Sequence, residues 1–258
     1  MRPTLSIVLP TFESTIGLQR IVNLLLINNY LDNRVEFIVS DDSKSDLIRN
    51  FVSKHKSFTY IKHSNTGNPV DNWNHGIEMS NGQYVHVLHH DEYFKDFKQL
   101  NDLLRILESS PDVVFLKCML SRRYVSALVP NWVKRKLLKR AREILHFKNF
   151  LGSPSNIIFR NDKNYFNRSF IWLVDIDFYF NLMHRYVMGA WTVCGVEILS
   201  DLDHFQSKSI SISLSQSKQE IEKNERDILI QKYQLRDNFS LKNRIYFYLS
   251  RVLGYVSL

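Results

Sequence analysis

The first ninety residues alternate between short apolar runs and helical patterns. The apolar runs are rich in Val, Ile and Leu and predict buried strands, whereas the segments between them repeat their apolar residues every three or four positions, as one face of a helix does. Strands are predicted at 5–9, 35–39, 58–61 and 84–88, and helices at 21–27, from about residue 46, and at 71–79. This order predicts an α/β fold with a Rossmann-like, mostly parallel central sheet and helices on both faces.

Beyond residue 95 the alternation becomes less regular. The pattern there predicts helices at 98–107, 132–147, from about 175, at 218–233 and at 241–253, strands at 113–116 and 156–159, and a serine-rich loop at 207–217. We therefore divide the chain into a first half, 1–95, a second half of the same domain, 96–206, and a C-terminal helical extension, 207–258.

The composition is that of a folded protein, with 258 residues of which 44% are hydrophobic and 23% charged. Cys118 and Cys194 belong to no Cys or His cluster, so the sequence predicts neither a disulfide framework nor a zinc site. The apolar stretch 186–199 is shorter than the roughly 20 residues that span a bilayer, and a strand begins at Leu5, where a signal peptide would lie. We expect a cytoplasmic protein.

The positive charge of the chain is concentrated in two segments. Residues 130–150 hold seven Lys or Arg residues against one Glu, and residues 238–258 hold three cations, whereas the whole chain has a net charge of +8. Basic segments of this kind favour a surface interaction with nucleic acid or with anionic lipid.

Acidic side chains follow three of the predicted strands. They occur in the segments Pro10–Glu13, Asp41–Ser43 and His89–Glu92. A single acidic segment after a strand usually has a structural role, as a turn or a helix cap. Because ligands of open α/β sheets bind outside the carboxyl ends of the strands, three such turns predict a ligand site at this edge.

These segments resemble the successive motifs of glycosyltransferase family 2. The matching stretches are SIVLPTFE at 6–13, FIVSDDSKSD at 37–46 and NGQYVHVLHHDE at 81–92. The resemblance implies the A-type glycosyltransferase fold and transfer with inversion. It also implies that residues 1–95 bind a nucleotide sugar and that residues 96–206 bind the acceptor.

The resemblance assigns the donor pocket to the ends of the first strands. Pro10, Thr11 and Glu13 match positions that line the nucleoside pocket, and Asp42 or Asp41 matches the acid that holds a pyrimidine base. A carboxylate accepts a hydrogen bond from N3–H of uracil or thymine, which cytosine lacks. A UDP- or dTDP-sugar is therefore the expected donor, unless the two acids only cap the following helix.

The Asp-x-Asp motif of the family falls on residues 89–91. His89 replaces its first acid, and Asp91 matches the second, metal-binding acid, so the resemblance implies Mn²⁺ or Mg²⁺ as the cofactor with His89 as a further ligand. His204 is a weaker third candidate. His90 is assigned to the donor site, as are Asn65 and Gly67, which permit tight turns beside the nucleotide.

The acceptor half contains a candidate general base. The stretch WLVDIDFYFNL at 172–182 is similar to the family's Glu-Asp-x-x-Leu helix start, so Asp175 matches the base and Val174 replaces the preceding Glu. A carboxylate at this position can accept the proton of the attacking hydroxyl. Asp177 is the substitute, and ordinary capping is the structural alternative for Asp175.

Small relatives of this type build O-antigen, capsule or other surface polysaccharides on a polyprenyl-diphosphate carrier. The resemblance thus implies a lipid-linked saccharide acceptor, with segments 130–150 and 238–258 docking the protein peripherally on the inner face of the cytoplasmic membrane. The alternative is that both segments pack their apolar residues on the core of the protein. For residues 238–258, homodimerisation is a further alternative.

Three other functions were weighed. The sequence has no helix-turn-helix, ribonucleoprotein or zinc-finger pattern that would indicate nucleic-acid binding. A sugar nucleotidyltransferase would need a glycine-rich loop after the first strand, and Pro10–Glu13 contains no glycine. A catalytically impaired scaffold would account for the departures at His89 and Val174.

Overall fold

The computed structural model describes the chain with several gaps. The described residues are 2–27, 32–64, 67–96, 99–120, 143, 145–147, 149, 151–186, 191–200 and 217–235. Most of the predicted basic helix at 132–147, the serine-rich loop and the predicted last helix at 241–253 lie outside them.

Eight strands form one sheet in the order β3-β2-β1-β4-β7-β6-β8-β5. The strands are β1 (Leu5–Thr11), β2 (Val35–Asp41), β3 (Phe58–Lys62), β4 (Tyr84–Val87), β5 (Glu92–Phe94), β6 (Val113–Leu120), β7 (Ile157–Arg160) and β8 (Trp191–Ser200). The helices are α1 (Ile16–Ile27), α2 (Leu47–Val52), α3 (Pro69–Met79), α4 (Gln99–Glu108), α5 (Val174–Arg185) and α6 (Lys218–Tyr233).

The prediction of a mostly parallel sheet is confirmed for the strands that carry the motifs. Strands β3, β2, β1 and β4 are parallel, whereas β7 is antiparallel to β4 and β6, and β5 is antiparallel to β8. Helices cover both faces, because one hydrophobic cluster contains residues of α1, α2 and α4 and the other contains residues of α3, α5 and α6.

Two strands, β5 and β8, were not expected from the sequence. β5 has only three residues, too few for a periodic pattern, and it is fixed by pairing with β8. β8 contains most of the apolar stretch at 186–199 and lies beside β6 in the same sheet. Both strands form by pairing with segments that are distant in the chain, and the pairing of β5 with β8 joins the two predicted halves into one sheet.

The predicted charged helix at 218–233 is observed as α6. It packs on the sheet's second face, where Leu229 is fully buried in the same cluster as α5. The second helix of the predicted C-terminal extension lies outside the described residues, so the extension as a whole stays a prediction. None of the helices described is long and apolar enough to cross a membrane.

Candidate active site

A cavity of about 220 Å³ opens at the carboxyl ends of β1, β2 and β4. This is the edge at which the sequence predicted a ligand site. Its walls are formed by residues at or just after the ends of these strands and by residues in and just before α3: Pro10, Thr11, Phe12, Asp42, Gly67, Pro69, Asn72, Trp73, His89 and His90. Five of the predicted donor-site residues are thus brought together with Asp42 around one cavity.

The two adjacent acids after β2 have different surroundings. Asp41 is fully buried, and its carboxylate accepts hydrogen bonds from the Tyr60 hydroxyl at 2.8 Å and from Lys62 Nζ at 3.1 Å. Burial by itself would raise the pKa of Asp41, but hydrogen bonds from Ser43, Tyr60 and Lys62 outweigh it and hold the pKa below the usual value. Asp41 therefore ties β2 to β3, and Asp42 faces the cavity.

Asp42 is held in place by two donors on neighbouring segments. His63 Nδ1 lies 2.8 Å from Asp42 Oδ1, and the backbone N–H of Gly67 donates to Oδ2 at 3.2 Å. Gly67 has a φ of +69°, a conformation that glycine adopts without strain. These contacts orient the Asp42 carboxylate at the cavity wall.

Glu13 supports the site from outside the cavity. Its exposed carboxylate accepts the backbone N–H of Lys44 at 2.6 Å and that of Ser45 at 3.1 Å. Hydrogen bonds from Ser45 and Lys44 lower the pKa of Glu13. The structure thus places Glu13 as an anchor of the loop after Asp42.

A cluster of possible metal ligands follows β4. Ligand atoms of His89, Asp91 and Glu92 all lie within 4.8 Å of one another. Two ligands on opposite sides of a Mg²⁺ ion would be about 4.2 Å apart, so the separations of these three atoms are close to those that one ion requires. One nitrogen and two carboxylates are also a suitable donor set for Mn²⁺.

His89 is prepared for such a role by its surroundings. Its ring stacks at a tilt on Trp73, with 4.6 Å between ring centroids, and its backbone N–H donates to Ser155 Oγ at 3.0 Å. Burial lowers the pKa of His89, which favours the neutral imidazole that a metal requires. Within the described part of the chain, its buried Nε2 atom has no hydrogen-bond partner.

Asp175 lies at the start of α5, partly exposed. Its Oδ1 accepts the backbone N–H of Ile176 at 2.8 Å, and its Oδ2 accepts a hydrogen bond from the Asn149 side chain. Burial raises the pKa of Asp175 to about 7. A carboxylate with this pKa is suited to accept a proton near neutral pH.

A loop that ends in a buried 3₁₀ turn, Pro154–Asn156, connects Asp175 with the ligand cluster. The Asn149 amide donates to Gly152 O at 2.9 Å, and Ser153 Oγ donates to Glu92 Oε1 at 2.6 Å. Asn149 therefore supports the candidate base, and Ser153 supports the ligand cluster.

Asp177 is placed differently from Asp175. It is buried, and its Oδ1 accepts hydrogen bonds from Lys232 Nζ at 2.7 Å and from the Tyr233 hydroxyl at 3.0 Å. These contacts join α5 to α6 and leave Asp175 as the stronger candidate base. Asn65 and His204 lie outside the described residues.

Four supporting residues were not assigned a role from the sequence. Phe12 lines the cavity while 46% exposed, His63 holds Asp42, Glu92 completes the ligand cluster, and Asn149 holds Asp175. Phe12, His63 and Glu92 each lie shortly after a strand, and this position could have identified them as candidates. No local signal identified Asn149, because its partner is 26 positions away.

The eight-stranded sheet with its ligand cavity and acidic cluster is the architecture of an A-type glycosyltransferase. The family model "Glycosyl transferase family 2" matches residues 6–167. The chain therefore belongs to glycosyl transferase family 2, as its motifs predicted.

Solved structures of S. aureus TarS share the fold. The crystal structure of TarS 1-349 in complex with UDP-GlcNAc is 16% identical with a TM-score of 0.61, covering 96% of this chain and 79% of that one. The complex of TarS 1-349 with UDP is 13% identical with a TM-score of 0.54, covering 90% and 70%.

A longer TarS chain is 17% identical with a TM-score of 0.59; the match covers 93% of this chain and spans 44% of that chain. A comparison with curated proteins found no match.

Proposed function

We propose that this protein transfers a sugar, with inversion, from a UDP- or dTDP-sugar to a hydroxyl of a saccharide acceptor. The observation that carries the proposal is the cavity that has Asp42 on one wall and His89 on another, beside the His89, Asp91 and Glu92 cluster. The binding of UDP and of UDP-GlcNAc by TarS supports a nucleotide-sugar donor.

Asp42 is the proposed acceptor for the base of the nucleotide. Its carboxylate lies at the cavity wall with its orientation fixed by His63 and Gly67. An ionised carboxylate only accepts hydrogen bonds, which matches N3–H of uracil or thymine. The exposed ring of Phe12 provides an apolar surface on the same wall.

The cluster of His89, Asp91 and Glu92 is the proposed site of a divalent cation, Mn²⁺ or Mg²⁺. A bound cation would neutralise charge on the donor diphosphate. The protein contributes two carboxylates, a neutral imidazole held by Trp73, and a loop that fixes both ends of the cluster.

Asp175 is the proposed general base, held at the first turn of α5 by Asn149 and the Ile176 N–H. In an inverting transfer the acceptor hydroxyl attacks the anomeric carbon as its proton moves to the Asp175 carboxylate. The bond between that carbon and the diphosphate oxygen breaks on the opposite side.

A panel of nucleotide sugars tests the proposal directly. Thermal stability is measured with UDP-, dTDP- and GDP-sugars, each with and without Mn²⁺, and hydrolysis of the donor is followed in the same samples. Stabilisation by the UDP or dTDP sugars that increases with Mn²⁺ is expected. Stabilisation by GDP-sugars but not by the pyrimidine donors would contradict the proposal.

Replacement of Asp42 should remove the selection of the base. A hydrogen bond to a charged group contributes about 1.5 to 3 kcal/mol, so Asp42→Ala should weaken UDP binding roughly 10- to 150-fold by the same principle. CDP, which lacks the N3–H donor, should lose much less. Isothermal titration calorimetry with both nucleotides measures the ratio of affinities.

The control for this measurement is Asp46→Ala. Asp46 is an exposed acid four positions away that pairs with Arg49 and lies outside the cavity wall. The Asp46→Ala protein should bind UDP and CDP with the affinities of the wild type. An Asp42→Ala protein that keeps the wild-type preference for UDP over CDP would show that another group recognises the base.

For the acceptor, we propose a polyprenyl-diphosphate-linked saccharide of O-antigen or capsule synthesis, reached at the inner face of the cytoplasmic membrane. The charge of segments 130–150 and 238–258 supports this proposal. Both segments lie largely outside the described residues, although Leu145 is buried in the core and so is not available to a membrane.

Flotation with liposomes tests the membrane proposal. The wild-type protein should float with anionic liposomes at low salt, because each Lys or Arg near such a surface contributes about 1 kcal/mol. A variant with Lys134, Arg135, Lys139 and Arg142 changed to Gln should remain at the bottom of the gradient.

A second variant controls for loss of charge as such. It changes four exposed lysines elsewhere to Gln, namely Lys44, Lys54, Lys56 and Lys223. This protein should float like the wild type. Equal binding of the wild type to neutral and anionic liposomes would refute electrostatic docking.

A further inference from the structure

The start of α5 has an unusual cap. The structure shows no side-chain cap from its N-cap residue, Leu173. Instead the carboxylate of Glu225, which is buried on α6, accepts the backbone N–H groups of Ile171, Trp172 and Leu173 at 2.5, 3.0 and 2.8 Å. A residue more than fifty positions away thus satisfies three consecutive donors just before the first turn of α5.

A second contact joins α6 to the first turn of α5 from the other side of Asp175. Lys232 and Tyr233, at the end of α6, donate to the buried carboxylate of Asp177. Asp175 lies between residues 171–173 and residue 177, so both backbone segments that flank it are attached to α6.

The spacing of the α6 contacts shows that one face of the helix makes this attachment. The buried residues Ile221, Glu225 and Leu229 recur every four positions, which places them on the same face. At the start of α6, Lys218 Nζ lies 4.4 Å from the centroid of the Trp172 ring. Contacts with the start of α5 and the residues just before it are therefore made at the beginning, middle and end of α6.

We infer that Glu225 is a positioning residue for the general base: it fixes the first turn of α5 so that Asp175 meets the acceptor hydroxyl. This inference rests on the proposed role of Asp175. The physical reason is that five hydrogen bonds on either side of Asp175 attach this segment to one helix, α6: Glu225 accepts three of them, and Lys232 and Tyr233 donate the other two to Asp177. An ordinary Ser or Asp cap would stabilise the helix end without linking it to α6.

Glu225 also influences the protonation of Asp175. Burial is the main cause of the raised pKa of Asp175, and the negative charge of Glu225 raises it further, whereas the Ile176 N–H and Asn149 lower it. Removing the charge of Glu225 should therefore lower the pKa of Asp175. A purely structural role for Glu225 would leave this titration unchanged.

The test combines a titration with kinetics. In the Glu225→Gln protein, the ¹³C resonance of the Asp175 carboxyl should titrate at lower pH than in the wild type, and the acidic limb of the kcat profile should shift in the same direction. Glu225→Ala removes all three acceptor contacts and should lower kcat by ~10², the cost of about 1 Å of misplacement at a reacting group. Both proteins should bind UDP as the wild type does.

Asp227→Ala is the matched control, since Asp227 is an exposed acid on the opposite side of α6. It should change neither the titration nor kcat. If Glu225→Ala does not fold, Glu225→Gln decides the question, because it keeps the shape of the side chain but replaces one accepting oxygen by an amide N–H₂, which cannot accept from the backbone N–H groups. A Glu225→Gln protein with unchanged Asp175 titration and unchanged kcat would overturn the inference.

Different results would refute the inference about Glu225 and the proposed transferase function. The ¹³C titration needs no donor or acceptor, so it reports on Glu225 even if no transfer is found. A wild-type protein that binds no pyrimidine nucleotide, or an Asp175→Asn protein with full activity, would instead refute the proposed function.

Discussion

An Asp91→Asn protein is expected to lose transferase activity, by roughly 10³-fold or more, because a bound cation supplies several kcal/mol of charge stabilisation. Asp91 is one of three ligand-bearing residues, and the remaining pair, His89 and Glu92, offers a single carboxylate. Binding of Mn²⁺ in the presence of UDP, measured by electron paramagnetic resonance, should weaken in parallel with activity. EDTA should inactivate the wild type, and added Mn²⁺ should restore it.

The control for Asp91 is Asp102→Asn, which alters an exposed acid on α4 that pairs with Arg105. Its activity and Mn²⁺ binding should equal those of the wild type. Wild-type activity that persists in EDTA, together with a fully active Asp91→Asn protein, would exclude a metal-dependent mechanism.

Replacement of Asp175 by Asn should lower kcat by ~10² to 10⁴, the usual contribution of a general base. The affinity for UDP should hardly change, since Asp175 is not part of the cavity wall beside Asp42. Steady-state kinetics and calorimetry on the same protein separate the two effects. Loss of UDP binding would show that Asp175 supports the donor site instead.

The pH dependence of transfer gives a second measure of the same residue. With a pKa of about 7, Asp175 is protonated at lower pH and cannot accept a proton. The kcat/KM of the wild type, which reports the ionisation of the free enzyme, should therefore rise with pH and reach half its plateau near pH 7. The Asp175→Asn protein should lack this rise.

Asp177→Asn is the variant to compare with Asp175→Asn. Its side chain keeps an oxygen that can accept from Lys232 and Tyr233, so we expect a small loss of stability and a small effect on kcat. Severe loss of transfer in Asp177→Asn with normal transfer in Asp175→Asn would identify Asp177 as the base.

The first half of the fold, residues 1–95, was predictable because its information is local. Short apolar runs with helices between them define parallel strands, and the carboxyl ends of parallel strands meet at one edge. Residues at or just after the ends of these strands, such as Thr11, Asp42 and His89, line the cavity as that rule requires. The family motifs are confined to the same strands and turns, so they too could be recognised without tertiary structure.

The sequence could not separate Asp41 from Asp42. Asp41 is the last residue of β2 and Asp42 directly follows it. Successive side chains of an extended chain point to opposite sides, but the sequence does not tell which of the two acids faces the cavity. The structure decides the matter because Tyr60 and Lys62 on β3 occupy the Asp41 carboxylate.

Sequence by itself determined the family, the positions of the motif-bearing strands along the chain and the edge where the cavity lies, because each depends on residues a few positions apart. Tertiary structure decided what surrounds the reactive groups: the addition of Glu92 to the cluster, the contact of Asn149 with Asp175, and the cap that Glu225 provides. These contacts join segments that are distant in the chain, so no local periodicity encodes them. They form only when the sheet and its two layers of helices bring those segments together.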